Sequence, residues 1–93
     1  MATRRVNFTV TSKAGVQAFW IAVSNTDVIL VDGKGSIDVE TGRRTLTWWL
    51  AGNPGGKLSI VGKVGENTVV EVKESTIPPN EHEAAGRKRF DVK

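Results

Sequence analysis

Cysteine is absent from the 93 residues. No disulfide framework, thiol nucleophile or zinc–thiolate site is therefore possible. Histidine occurs once, as His82, in the polar stretch EHE (Glu81 to Glu83). A Ser/His/Asp arrangement would have to use it, and a metal site would have no second imidazole. No metal or cofactor is expected. Tyrosine is missing too, which thins the aromatic interleaving of single-strand nucleic-acid sheets. Long apolar runs are also lacking. The longest, AFWIAV (18–23), is far too short to cross a bilayer, and MATRRVNFTV has no apolar core for a signal peptide. These absences lead to the expectation of a soluble, cytoplasmic protein without a membrane contact. The net charge of +3 permits a polyanionic partner without demanding one.

Ten glycines against one methionine, with few strong helix formers, favour strands and turns. RRVNFTVT alternates, with Val6, Phe8 and Val10 on one face and Asn7, Thr9 and Thr11 on the other, the pattern of a half-buried antiparallel strand. SKAG reads as a turn. VQAFWIAVS (16–24) fits two periods. Val16, Phe19, Trp20 and Val23 form a helical stripe, whereas Phe19, Ile21 and Val23 share one face of a strand. Its length of about nine residues, its β-branched and aromatic content and its flanking Gly15 and SNTD favour the strand.

DVILVDG (27–33) reads as a short apolar strand ending in a turn, and GSIDVE (35–40) as an alternating one. Thr41-Gly42 is read as a hairpin turn into RRTLTWWLA, and GNPGG as the loop before KLSIVGKV. A turn at Gly65 to Asn67 then leads to TVVEVKES. About seven strands with regular turns predict an all-β fold: a single antiparallel β-sandwich, immunoglobulin-like in outline. A small β-barrel is the architectural alternative, and α+β would follow if 13–24 were a helix. The domain is expected to span 1–75. Segment 76–86, with Pro78-Pro79, is read as a mobile polar loop or linker, and 87–93 as a tail able to add an edge strand.

In TLTWWLA, Leu46, Trp48 and Leu50 share one face and Thr45, Thr47 and Trp49 the other. Trp48 is expected in the core and Trp49 outside. Trp20 has the same outward position if its segment is a strand. A flat ring with a polar N–H buries much area at little entropy cost, which suits a protein partner or a sugar face. The expected contact residues are Trp20, Thr47, Trp49, Asn53 and Gly55. The expected function is a non-catalytic binding module for protein contact, self-association included, or for carbohydrate.

The alternative is electrostatic nucleic-acid binding through three basic clusters: Arg4 and Arg5, Arg43 and Arg44, and Arg87, Lys88 and Arg89. Each cluster is read at or just before a strand start. AGNPGGKLS resembles a phosphate loop, but Ala51 and Leu58 break the pattern and a strand follows where a helix is needed. Asp32, Asp38 and Glu40 lie near one turn, yet with ten carboxylates such proximity is weak support for catalysis. No enzymatic activity is expected.

Overall fold

The computed structural model describes residues 2–13 and 15–93. Eight strands form: β1 (Thr3–Lys13), β2 (Val16–Val23), β3 (Thr26–Val28), β4 (Lys34–Glu40), β5 (Gly42–Gly52), β6 (Lys57–Val64), β7 (Asn67–Thr76) and β8 (Glu83–Val92). They make two antiparallel sheets of four strands, in the orders β4-β1-β6-β7 and β3-β2-β5-β8. This is the expected all-β sandwich. Among the described residues no ladder joins the two sheets, so they do not close into a barrel. The SKAG turn includes Ala14, which lies outside the described residues.

Alternation explains the strands. β1 buries Val6, Phe8 and Val10 and exposes the residues between them. β2 settles the ambiguous segment, and the helix over 13–24 does not form. Its pairing with β5 runs from Val16↔Gly52 to Val23↔Leu46. That pairing puts Ile21 and Val23 in the core and leaves Trp20 outside, whereas a helical stripe would have buried Trp20 with Val23. Ser24 and Asn25 both have positive φ (46° and 70°), the primed turn that suits a two-residue hairpin from β2 to β3.

Four expectations need correction. The strand read over 27–33 pairs only as β3, because the chain must then cross to the other sheet, where Asp32 and Gly33 (φ 54° and 78°) turn it into β4. Thr41-Gly42 is no hairpin, since β4 and β5 belong to different sheets. The segment 76–86 is not a mobile linker throughout: Ile77 is fully buried and β8 begins at Glu83. The strand order also departs from an immunoglobulin domain, in which the first two strands share a sheet. Here β1 and β2 lie in opposite sheets.

The pairing scheme has a hidden regularity. Adding four to each strand number turns β1–β4 into β5–β8, β2–β3 into β6–β7, and β1–β6 into β5–β2. All six pairings exist. Each half of the chain thus supplies two strands to each sheet, and the halves meet along the two central ladders.

Between the sheets lie Phe8, Ile21, Leu46, Leu50, Leu58, Ile60 and Ile77, all fully buried, with no buried polar residue among those described. Each such side chain contributes roughly 1.5–3 kcal/mol of burial. Trp48 is 8% exposed, and its indole N–H donates to Ser75 Oγ at 3.0 Å. Its ring takes the space a side chain would need at Gly86, its register partner on β8.

The GNPGG loop closes one end of the sandwich. Gly55 N–H donates to Ile77 O (2.9 Å), and Ile77 N–H donates back to Gly56 O (2.8 Å). Gly52 N–H donates to His82 O (2.9 Å) and Asn53 N–H to Gly15 O (3.3 Å).

Candidate contact surface

The outer face of the β3-β2-β5-β8 sheet follows from register. Ala18 lies beside Ala51 and Glu83. Next come Trp20, Trp49 and Ala85, then Ala22, Thr47 and Arg87. Thr45 pairs with Arg89 and Arg43 with Asp91 at the far end. Neighbouring strands are about 4.8 Å apart, so each row is a line of touching side chains.

The tryptophans are adjacent because β2 and β5 are. Their ring planes are 24° apart and their centroids 6.5 Å apart. Near-parallel rings at that separation are offset, the arrangement their quadrupoles favour. Trp20 is 44% exposed. Trp49 is half-buried, and its indole N–H donates to Glu83 Oε1 at 3.3 Å. Alanines at 18, 22, 51 and 85 flank the pair, and Thr47, Glu83 and Arg87 complete its surround. Thr47 is one row away, on the same face.

Asn53 and Gly55 are set differently. They lie beyond the end of β5, and the loop's amides are spent on Gly15, Ile77 and its own turn. The Asn53 side chain stands against Gly15, where a built Cβ would lie 2.9 Å from Asn53 Nδ2. The structure therefore brings Trp20, Thr47 and Trp49 together and gives the loop an internal role. Compared with known protein families, curated proteins and solved structures, the chain matches none.

The seven cations do not form one rim. The starts of β1 and β5 share an end, which places Arg4, Arg5, Arg43 and Arg44 together. The third cluster does not precede a strand, because Arg87, Lys88 and Arg89 sit in the middle of β8. Carboxylates engage three of the seven: Arg5 with Asp38 at 3.0 Å, Arg43 with Asp91 at 3.3 Å and Arg44 with Glu40 at 3.8 Å. Arg4 donates to Lys93 O and Lys88 to Glu71 O. Among the described residues only Arg87 and Arg89 of these seven make neither kind of contact. They share the outer face with the tryptophans.

The remaining polar groups diverge. Arg5 lowers the Asp38 carboxyl below its ordinary range, first by hydrogen bonding and then by charge, and Asp38 raises Arg5 in return. A carboxylate so held is a poor general acid. Within EHE, Glu83 reaches Trp49, while His82 Nδ1 lies 3.3 Å from Gly52 O. GNPGG leads into strand β6. A cleft of about 690 Å³ opens between the edges of β7 and β8, lined by Val70, Glu71, Lys88 and Phe90 among others, away from the tryptophan pair. Asn67, Thr68, Arg89, Asp91 and Lys93 also line it.

Proposed function

We propose that this chain is a non-catalytic binding module. It makes a protein–protein contact through the outer face of its β3-β2-β5-β8 sheet, with a second copy of the chain as partner. One observation carries the reading: Trp20 and Trp49 are register partners, near-parallel, and flanked by four alanines on the outer face. Rigid aromatic anchors of this kind dominate interface energies because they bury large area with few torsions to freeze. The body measures 45 × 22 × 19 Å. One broad face of it matches the roughly 800 Å² that each partner contributes to a standard interface.

A second reading rests on Arg87 and Arg89, two uncommitted cations beside stacked rings, the pairing that favours single-stranded nucleic acid. The two differ in salt response, since counterion release makes only the second steeply salt-dependent. The test follows the three indole N–H signals by two-dimensional NMR from about 1 mM to about 10 µM protein, the range in which a modest interface dissociates. The same spectra are then taken with a short oligonucleotide and with a glycan pool. Trp20 and Trp49 are expected to shift on dilution while Trp48 stays fixed, and Trp49→Ala is expected to remove the concentration dependence. Signals that move only with oligonucleotide, or only with glycan, overturn the protein-contact reading.

A further inference from the structure

Each sheet must end somewhere, and an edge strand exposes unpaired N–H and C=O groups. Three full-length edges here carry charge. β4 has Lys34, Asp38 and Glu40; β7 has Glu71, Lys73 and Glu74; β8 has Arg87, Lys88 and Arg89. Such residues discourage pairing with another chain.

The fourth edge is different. β3 covers β2 only at Ile21, Ala22 and Val23. The preceding half, Val16–Trp20, pairs with β5 on one side, with a register shift between Val16 and Ala18, and among the described residues no backbone hydrogen bond reaches it from the other. Its sequence, VQAFW, contains no charge and no proline. The tight turn at Ser24-Asn25 makes Val23 and Thr26 a hydrogen-bonded pair, so Ile21 and Phe19 present their N–H and C=O on that same side. Among the described residues, the three large apolar side chains that are exposed, Trp20, Ile29 and Val31, belong to β2 and to the crossover after β3.

We propose that the Val16–Trp20 edge of β2 pairs antiparallel with the same edge of a second copy, giving one continuous sheet through the dimer. This rests on the reading that a second copy is the partner, and it sets a contact at the sheet edge beside the one on the tryptophan face. Antiparallel pairing of identical edges is self-complementary about a two-fold axis, so the interface closes at two copies. The axis passes near Ala18, the middle of the open half, and sets Ala18 opposite Ala18 of the second copy. Both outer faces then lie on the same side of the joined sheet and bring the two indole pairs onto one surface. The β2 edge has no charge to oppose this, whereas β8 would bring its own Arg87, Lys88 and Arg89 against one another.

The experiment is sedimentation velocity over a dilution series of the full chain. Amide hydrogen exchange at Phe19 is read at the highest and lowest concentrations. The wild-type chain is expected to dimerise, with Phe19 exchange slowing as concentration rises. Ala18→Lys, at an exposed strand position, is expected to weaken the dimer at least about tenfold by placing two lysines face to face. A chain that is monomeric at about 1 mM overturns the proposal. So does a dimer that Ala18→Lys leaves intact or a Phe19 amide indifferent to concentration. If Trp49→Ala dissociates the dimer and Ala18→Lys does not, the sheet-face contact stands and the edge pairing alone fails. If the reverse holds, the edge pairing stands and the tryptophan contact fails.

Discussion

Gly86→Ala should be costly for a reason confined to one ring. A Cβ at position 86 would lie 2.4 Å from Trp48 Cζ2, 2.8 Å from Cε2 and 3.0 Å from Cη2. These are rigid ring atoms, so the contact cannot be relieved by turning the end of a flexible chain. Nor can the ring slide freely, because its N–H is tied to Ser75 Oγ on β7, in the opposite sheet. Overpacking of this sort costs about 1–3 kcal/mol. If the ring moves and the Ser75 bond breaks, about 1 kcal/mol more is lost. We therefore expect about 2–4 kcal/mol in all, or a fall of roughly 10–25 °C in Tm for a domain of this size. The assay is urea unfolding followed by far-UV circular dichroism, which does not depend on the ring being altered. A cycle with Trp48→Phe isolates the cause. The smaller ring leaves room for the methyl, so Gly86→Ala should cost at least about 1 kcal/mol less when Trp48→Phe is already present. An equal cost with and without Trp48→Phe would refute the argument from the ring.

Two further outcomes follow from the loop and the ion pairs. Ile77→Ala should destabilise by about 2–5 kcal/mol, because a fully buried plug is lost from the GNPGG end, and exchange at the Gly55 amide should accelerate with it. A loss under about 1 kcal/mol would mean that this end is not sealed by Ile77. The Asp38 carboxyl, depressed in the folded chain by Arg5, adds stability that is present above the ordinary Asp value of about 3.9 and is lost as pH falls through the folded value. Asp38→Asn should therefore reduce the acid sensitivity of the urea midpoint between pH about 7 and about 3, by a small amount since the pair is exposed. Identical acid profiles would show that the pair does not contribute.

Which of these features a reader could take from the residues depends on how local their causes are. Val6, Phe8 and Val10, or Trp48 against Trp49, are sorted by simple alternation, which is a property of the strand itself. The segment 16–24 needed a partner to decide it, and that partner is β5, far along the chain. β8 is the strand with the weakest local signal. EAAGRKRFDV has few β-branched residues, and its strand state comes from pairing with β5 and from the need for a glycine under Trp48. The outward tryptophans could be suspected singly. Their adjacency could not, because no local pattern says that β2 and β5 are neighbours. The arginines show the same limit, since Arg5–Asp38 and Arg43–Asp91 join residues that only the register brings together.

The four-strand shift that maps the pairing scheme onto itself bears on how this chain is made. A ribosome releases β1 to β4 first, and that half holds two strands of each sheet with both central edges bare. It cannot complete either sheet alone. β5 covers β2 and β6 covers β1 only as the second half emerges. The pocket around Trp48 waits longest, since Ser75 and Gly86 come near the end. Both seams therefore stay open until β5 and β6 have emerged, and the Trp48 ring stays bare until Ser75 and Gly86 have followed them.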